Sequence, residues 1–174
     1  MKLIYFLLIT TASIYAQPNV NVLSEDEFES IQINGHSISQ IRSTNGNEAY
    51  IINLFGTPAD KKITSKPEKS YGYYYNGFSL NFSSYISETS EPILGSFEIV
   101  NSNFELSVKG VNFSVGDNIS VLSPLNLEKN TAGNYSSRIE TFLIAPCESC
   151  THYLYIRYDI NSQEILKIGY IERT

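Results

Sequence analysis

The chain has 174 residues, with 12 Lys+Arg against 18 Asp+Glu, a formal net charge of −6, 13 Tyr, 9 Phe and no Trp. This acidity argues against nucleic acid and anionic membrane as partners, because both are bound through Lys and Arg. Only 17% of residues are charged, and the aromatic-rich remainder suits strands rather than a disordered chain.

In chain order, the first element is an export signal. Lys2 is followed by the unbroken apolar run Leu3–Ile9 and then by smaller residues up to Ala16. Charged end, short apolar core and small residue before a cut is the order of a secretory signal, with cleavage expected between Ala16 and Gln17. The run is far short of the roughly 20 residues that span a bilayer, and no later segment is apolar enough to do so. No Cys stands near the cut, which argues against a lipid anchor there. Loss of Lys2 leaves 11 basic against 18 acidic residues, a net charge of −7. The mature chain is expected to be periplasmic or secreted, without stable membrane insertion, and of a size for one domain or two small lobes sharing a core.

Residues 17–30 read as a leader, loose up to Leu23. Ser24 and Glu27 then have capping-box spacing for a helical turn or two. Ile31–Ile38 alternates apolar and polar around Gly35, a strand with a bulge or turn. Ser39–Asn45 reads as a loop. Asn47–Phe55 is the clearest helix: Asn47 caps it, Ile51, Leu54 and Phe55 share a face, and Gly56 and Pro58 end it. Tyr71–Tyr75 and Phe78–Tyr85 flank Asn76-Gly77, a strong hairpin signal because both turn residues tolerate positive φ. Ile93–Val100 is a third strand. Phe104–Phe113 follows as a strand containing Gly110. Asp117 is expected to cap a short helix through Leu122, limited or kinked by Pro124. Thr141–Pro146, Tyr153–Asp159 and Glu164–Glu172 are three more strands, with Asn161-Ser162 as the last turn.

This order repeats. Gly46-Asn47 pairs with Gly116-Asp117 at an offset of 70 residues, placing Ile51, Ile52 and Phe55 opposite Val121, Leu122 and Leu125. The preceding strands match through Gly35 and Gly110. Two tandem units are expected, at 31–102 and 103–174, in an α+β fold of antiparallel sheet with short helices packed on one face. The segment "GNEAYIINLFGTP", followed by a Tyr-rich hairpin and a third strand, resembles the unit of the β-lactamase inhibitory protein-like fold and of the small outer-membrane assembly lipoproteins. That resemblance implies a protein-binding module with a concave sheet. The second copy departs from it, with Asn126 in place of the Gly and no Pro two residues later.

Two features carry chemistry. Cys147-Glu148-Ser149-Cys150 lies between two strands, and an exported pair of cysteines is expected to form a disulfide. Its ring is small, so the stabilisation is modest, about 2 kcal/mol. With His152 the same residues offer three ligands for zinc or copper, one short of a closed zinc site. A redox role needs a helix N-terminus to stabilise the thiolate, and no helix follows. The second feature is aromatic. Alternation sends Tyr71, Tyr73 and Tyr75 to one face and Tyr74 to the other, and exposed rings favour binding. Rings lying in the core are the competing reading.

No serine elbow, zinc-protease helix or phosphate loop is present in the sequence. The function expected is a non-enzymatic protein-interaction module, of the inhibitor or envelope-accessory type, without cofactor. It would bind an unknown protein through Tyr71, Tyr73, Tyr75 and Phe78. Two other readings stand beside it: a small hydrolase using His36 or a pair of carboxylates that meet only in three dimensions, and a metal or redox protein using Cys147, Cys150 and His152.

Overall fold

The structure, a computed structural model, describes residues 19–65, 69–84, 91–130 and 138–172. The export signal and its cleavage site lie outside these residues, as does Tyr85.

The leader is not loose throughout. Strand β1 (Asn21–Val22) pairs in parallel with the later strand β10 (Ile139–Ala145). The Asn21 amide also donates to the Leu143 carbonyl at 2.8 Å. Helix α1 (Glu25–Glu29) begins with the expected capping box of Ser24 and Glu27. The next segment is a hairpin, β2 (Gln32–Ile33) and β3 (His36–Ser37), turned at Asn34-Gly35, where both residues have positive φ. The segment read as a loop is helix α2 (Ile38–Ser43), started by a second capping box in which Ser37 and Gln40 satisfy each other's backbone N–H. Helix α3 (Glu48–Phe55) follows, capped by Asn47.

Five antiparallel strands form the rest of the large sheet's first part and its centre. They are β4 (Asp60–Thr64), β5 (Ser70–Tyr75), β6 (Phe78–Ser83), β7 (Ile93–Ile99) and, at the end of the chain, β12 (Ile165–Glu172). Strand β4 has no counterpart in the sequence reading. The segment 104–113 is a hairpin rather than one strand: β8 (Glu105–Val108) and β9 (Val111–Ser114) turn at Lys109-Gly110. The short helix expected after Asp117 is a 3-10 helix, Ile119–Leu125, capped by Asn118 and not by Asp117. Asp117 instead accepts from the Ser114 N–H at 2.7 Å, in the turn before it. Strand β11 (His152–Asp159) lies between β10 and β12.

Among the described residues the large sheet has eight strands, in the order β1-β10-β11-β12-β7-β6-β5-β4. Its two three-stranded meanders, β5-β6-β7 and β10-β11-β12, therefore meet through their last strands, β7 and β12. The smaller sheet has the order β3-β2-β8-β9, so its two hairpins meet through their first strands.

One core joins the helices and the two sheets of the described residues. It gathers Phe28 of α1, Ile38 and Ile41 of α2, Ile51 of α3, Leu106 and Phe113 of the small sheet, and alternate residues of the large one, including Leu80, Phe97, Ile156, Ile168 and Tyr170. The fold is thus α+β, with the short helices and the small sheet on one face of the large sheet. The other face carries no such layer among the described residues.

Candidate functional site

The alternation along β5 decides which tyrosines lie on the covered face of the sheet and which on the open one. Tyr71, Tyr73 and Tyr75 point to the helix side, with the core. Tyr73 is 1% exposed and its hydroxyl donates to the Gly46 carbonyl at 2.6 Å. Phe78 is 2% exposed and packs with Phe104, ring centroids 4.6 Å apart. Tyr75 is half-buried against Phe55, Phe78 and Phe104 and donates to the Gly56 carbonyl at 3.1 Å. Burial pushes its phenol up to about 12. Tyr71 also packs against the core as a half-buried ring. The sequence reading offered these four as binding residues, with rings in the core as the competing reading. They belong to the covered face because helices α2 and α3 and the β8–β9 hairpin pack on that side.

The open face carries the opposite set. In β5 it presents Ser70, Gly72 and Tyr74, in β6 Ser79, Asn81 and Ser83, and in β11 Tyr153, Tyr155 and Arg157. Two of its rings lie over glycines. A Cβ at Gly72 would stand 2.8 Å from the Tyr74 hydroxyl, and one at Gly169 would stand 2.4 Å from the Tyr155 ring. Each glycine leaves room for a ring to lie down on the sheet, so the face is flat where larger residues would make ridges.

Around Tyr155 the face is polar and organised. The Tyr155 hydroxyl donates to Glu98 Oε1 at 2.8 Å, and Lys167 Nζ stands 3.3 Å from both Glu98 oxygens. The Arg157 guanidinium sits 5.0 Å from the Tyr155 ring centroid, within cation–π range. Burial, and then the Glu98 carboxylate, hold the Tyr155 phenol protonated well above its ordinary range. Toward the other edge, Lys62 Nζ lies 5.5 Å from the Tyr74 ring centroid. Between the two clusters is an open depression of about 550 Å³, lined in part by Thr64, Tyr74, Asn81, Ser83, Ser96 and Ile171. Asn81 donates to the Ser96 hydroxyl across its floor at 3.3 Å. Hydroxyls, amides, flat rings and an exposed Arg are groups for recognition by contact and hydrogen bonding.

The residues of the other two readings lie elsewhere. Cys147 and Cys150 are joined as a disulfide in the β10–β11 loop, so neither sulfur is a free thiolate. His152 begins β11 on the helix side, its ring 5.5 Å from that of Phe28, and its Nε2 is buried without a hydrogen bond. Beside it, Arg42 donates to Glu29, to the Tyr170 hydroxyl and, at 3.2 Å, to Glu172, while Tyr170 donates to Glu172 at 2.6 Å. This network ties α1 and α2 to β12. Desolvation raises the Glu29 carboxyl above its ordinary value, against the pull of Arg42. His36 stands at the opposite end, edge-on to Phe55 at 5.4 Å. Among the described residues, no three His, Cys, Asp or Glu side chains stand together as a metal site, and no helix is long and apolar enough to cross a membrane.

No protein-family model matches the chain, and no curated protein matches it. Among solved structures it is similar to an extracellular protein containing a SCP domain from Bacillus anthracis str. Ames, at 11% identity over 78% of this chain and 45% of that one, with a TM-score of 0.42. It is similar also to a cysteine-rich secretory protein from Staphylococcus aureus subsp. aureus Mu50, at 10% identity over 90% of this chain and 52% of that one, again with a TM-score of 0.42. The chain spans about half the length of these two structures.

Proposed function

We propose that the protein is an exported, non-enzymatic interaction module that binds another protein through the open face of its large sheet. The observation that carries this reading is the arrangement on that face: a partly exposed Tyr74 laid over Gly72, an exposed Arg157 over the buried Tyr155 ring, and a hydroxyl-lined depression between them. Tyr and Arg are the residues on which interface energy concentrates. Export is supported by the signal-like start and by the Cys147–Cys150 disulfide, a bond of oxidising compartments.

The same reading takes 31–102 and 103–174 as copies of one unit, akin to that of the β-lactamase inhibitory protein-like fold. Its support is the order of hairpin, helical segment and antiparallel meander in each half, with α2 and β4 additional in the first, and the pairing of like strands where the halves meet.

The test is capture from envelope extract with the mature protein as bait, compared with a Tyr74→Ala/Arg157→Ala variant. Removing two contact side chains should weaken capture by about tenfold or more, with the melting temperature little changed. Equal capture by both proteins would place the binding surface elsewhere.

A further inference from the structure

Strand β4 ends the large sheet, and among the described residues nothing pairs with its outer edge. All five of its residues are exposed. The ladder shows which main-chain groups face outward. Ser84 N–H donates to the Lys69 carbonyl at 2.9 Å, so the odd-numbered residues of β5 bond to β6. Successive residues of an antiparallel strand direct their N–H and C=O to alternate neighbours. The even-numbered Ser70, Gly72 and Tyr74 therefore bond to β4, where they oppose Thr64, Lys62 and Asp60. That leaves the main-chain groups of Lys61 and Ile63 pointing away from the sheet. The Lys61 N–H agrees: its acceptor is the Asp60 carboxylate at 2.8 Å.

We infer that this edge pairs with the β4 edge of a second copy of the chain, antiparallel about a two-fold axis at Lys61. In that register Asp60 of each copy lies opposite Lys62 of the other, and the Ile63 N–H faces Ala59 of the other copy, whose own N–H stays on the Tyr74 carbonyl of its own sheet at 2.8 Å. The charges select it. Lys62 makes no ion pair among the described residues, only the approach to Tyr74, and pairing supplies it with a carboxylate. Lys61, opposite its own counterpart at the axis, is already neutralised by Glu48 of its own chain at 2.8 Å. Moving the axis one residue to Lys62 would set Lys62 against Lys62 and strand Asp60 opposite Thr64, and like charges directly opposite are destabilising. Two of the large apolar side chains left exposed, Ile63 at 53% and Tyr50 at 59%, border one hollow of about 370 Å³ beside this edge. Pairing covers Ile63. The interface is isologous, and the two sheets become one. This inference goes beyond the open-face reading; its test shares Lys62 with that face, but it reads self-association rather than capture of a partner, so the two can fail separately.

The experiment is sedimentation equilibrium of the exported protein and of Asp60→Lys, Lys62→Asp and the double swap. Each protein is first checked for an unchanged melting temperature. A five-residue strand is a small contact, so the wild-type mass should rise toward the dimer only near about 500 µM. Each single substitution should weaken association by about tenfold, and the double swap should restore it. Mixing the two single variants should give a heterodimer tighter than either homodimer. As a readout free of mutation, the Ile63 amide should exchange more slowly as wild-type concentration rises. A wild-type protein still monomeric near about 500 µM, a dimer indifferent to these charges, or an Ile63 amide whose exchange ignores concentration would each overturn the inference.

Discussion

Tyr73 closes the first half of the core. Its ring is buried beside Phe82, and its hydroxyl holds the Gly46 carbonyl at the turn between α2 and α3. Tyr73→Phe should cost about 1 kcal/mol by leaving that buried carbonyl unpaired. Tyr73→Ala should cost about 3–5 kcal/mol through the cavity it opens. Equilibrium denaturation measures both, and an unchanged midpoint for Tyr73→Ala would mean that the ring is not core. The tyrosines also set an alkaline limit. Burial raises the phenols of Tyr73, Tyr75, Tyr155 and Tyr170, that of Tyr75 to about 12, against about 10 in an unfolded chain. Between those values the folded state holds protons that the unfolded state has lost. Stability is therefore full below about pH 10 and falls as pH rises through about 12. Tyrosinate absorbance and near-UV circular dichroism followed together should show some tyrosines ionising only as the fold is lost. A single titration step near pH 10 with the fold intact would contradict this. Alternation alone separated Tyr74 from Tyr71, Tyr73 and Tyr75. It could not say which face would be covered, because that depends on where α2, α3 and the β8–β9 hairpin land.

Among the elements, α3 was legible because it has a cap, a face and a stop in sequence. Its deepest residue is Ile51, while Leu54 and Phe55 are only partly buried. Ile51→Ala should therefore cost about 2–5 kcal/mol, and Leu54→Ala clearly less, as thermal melts of the two variants will show. Equal losses would mean that α3 lies deeper than its exposure indicates. Helix α2 escaped the sequence reading although its signal was present: Ser37-Ile38-Ser39-Gln40 is a capping box, hidden because Ile38 had been given to the preceding strand. Strand β4 left no such signal. Asp60-Lys61-Lys62-Ile63-Thr64 is exposed along its whole length and has a single apolar residue, Ile63, so neither hydrophobic period marks it. The disulfide between β10 and β11 was readable from spacing and the expected export. The Tyr155, Arg157, Glu98 and Lys167 cluster was not, because it assembles from three strands far apart in sequence.

At the scale of the whole molecule, the fold class follows from sequence, with strand-rich halves and helices too short to pack alone. The pairings between the halves do not, because β7 and β12 meet only once both meanders exist. The order of the large sheet has a consequence for how the protein is made. Strand β12, the last strand of the described chain, is flanked by β11 on one side and β7 on the other. A polypeptide delivered N-terminus first must keep two separate ribbons waiting, each with an unpaired border, until residues 165–172 arrive to zip them together. The large sheet is then complete only after residues 165–172 have been delivered, an order compatible with the export proposed above. Ending the chain before Ile165 should leave no cooperative transition in urea, whereas two ribbons able to stand alone would each melt separately.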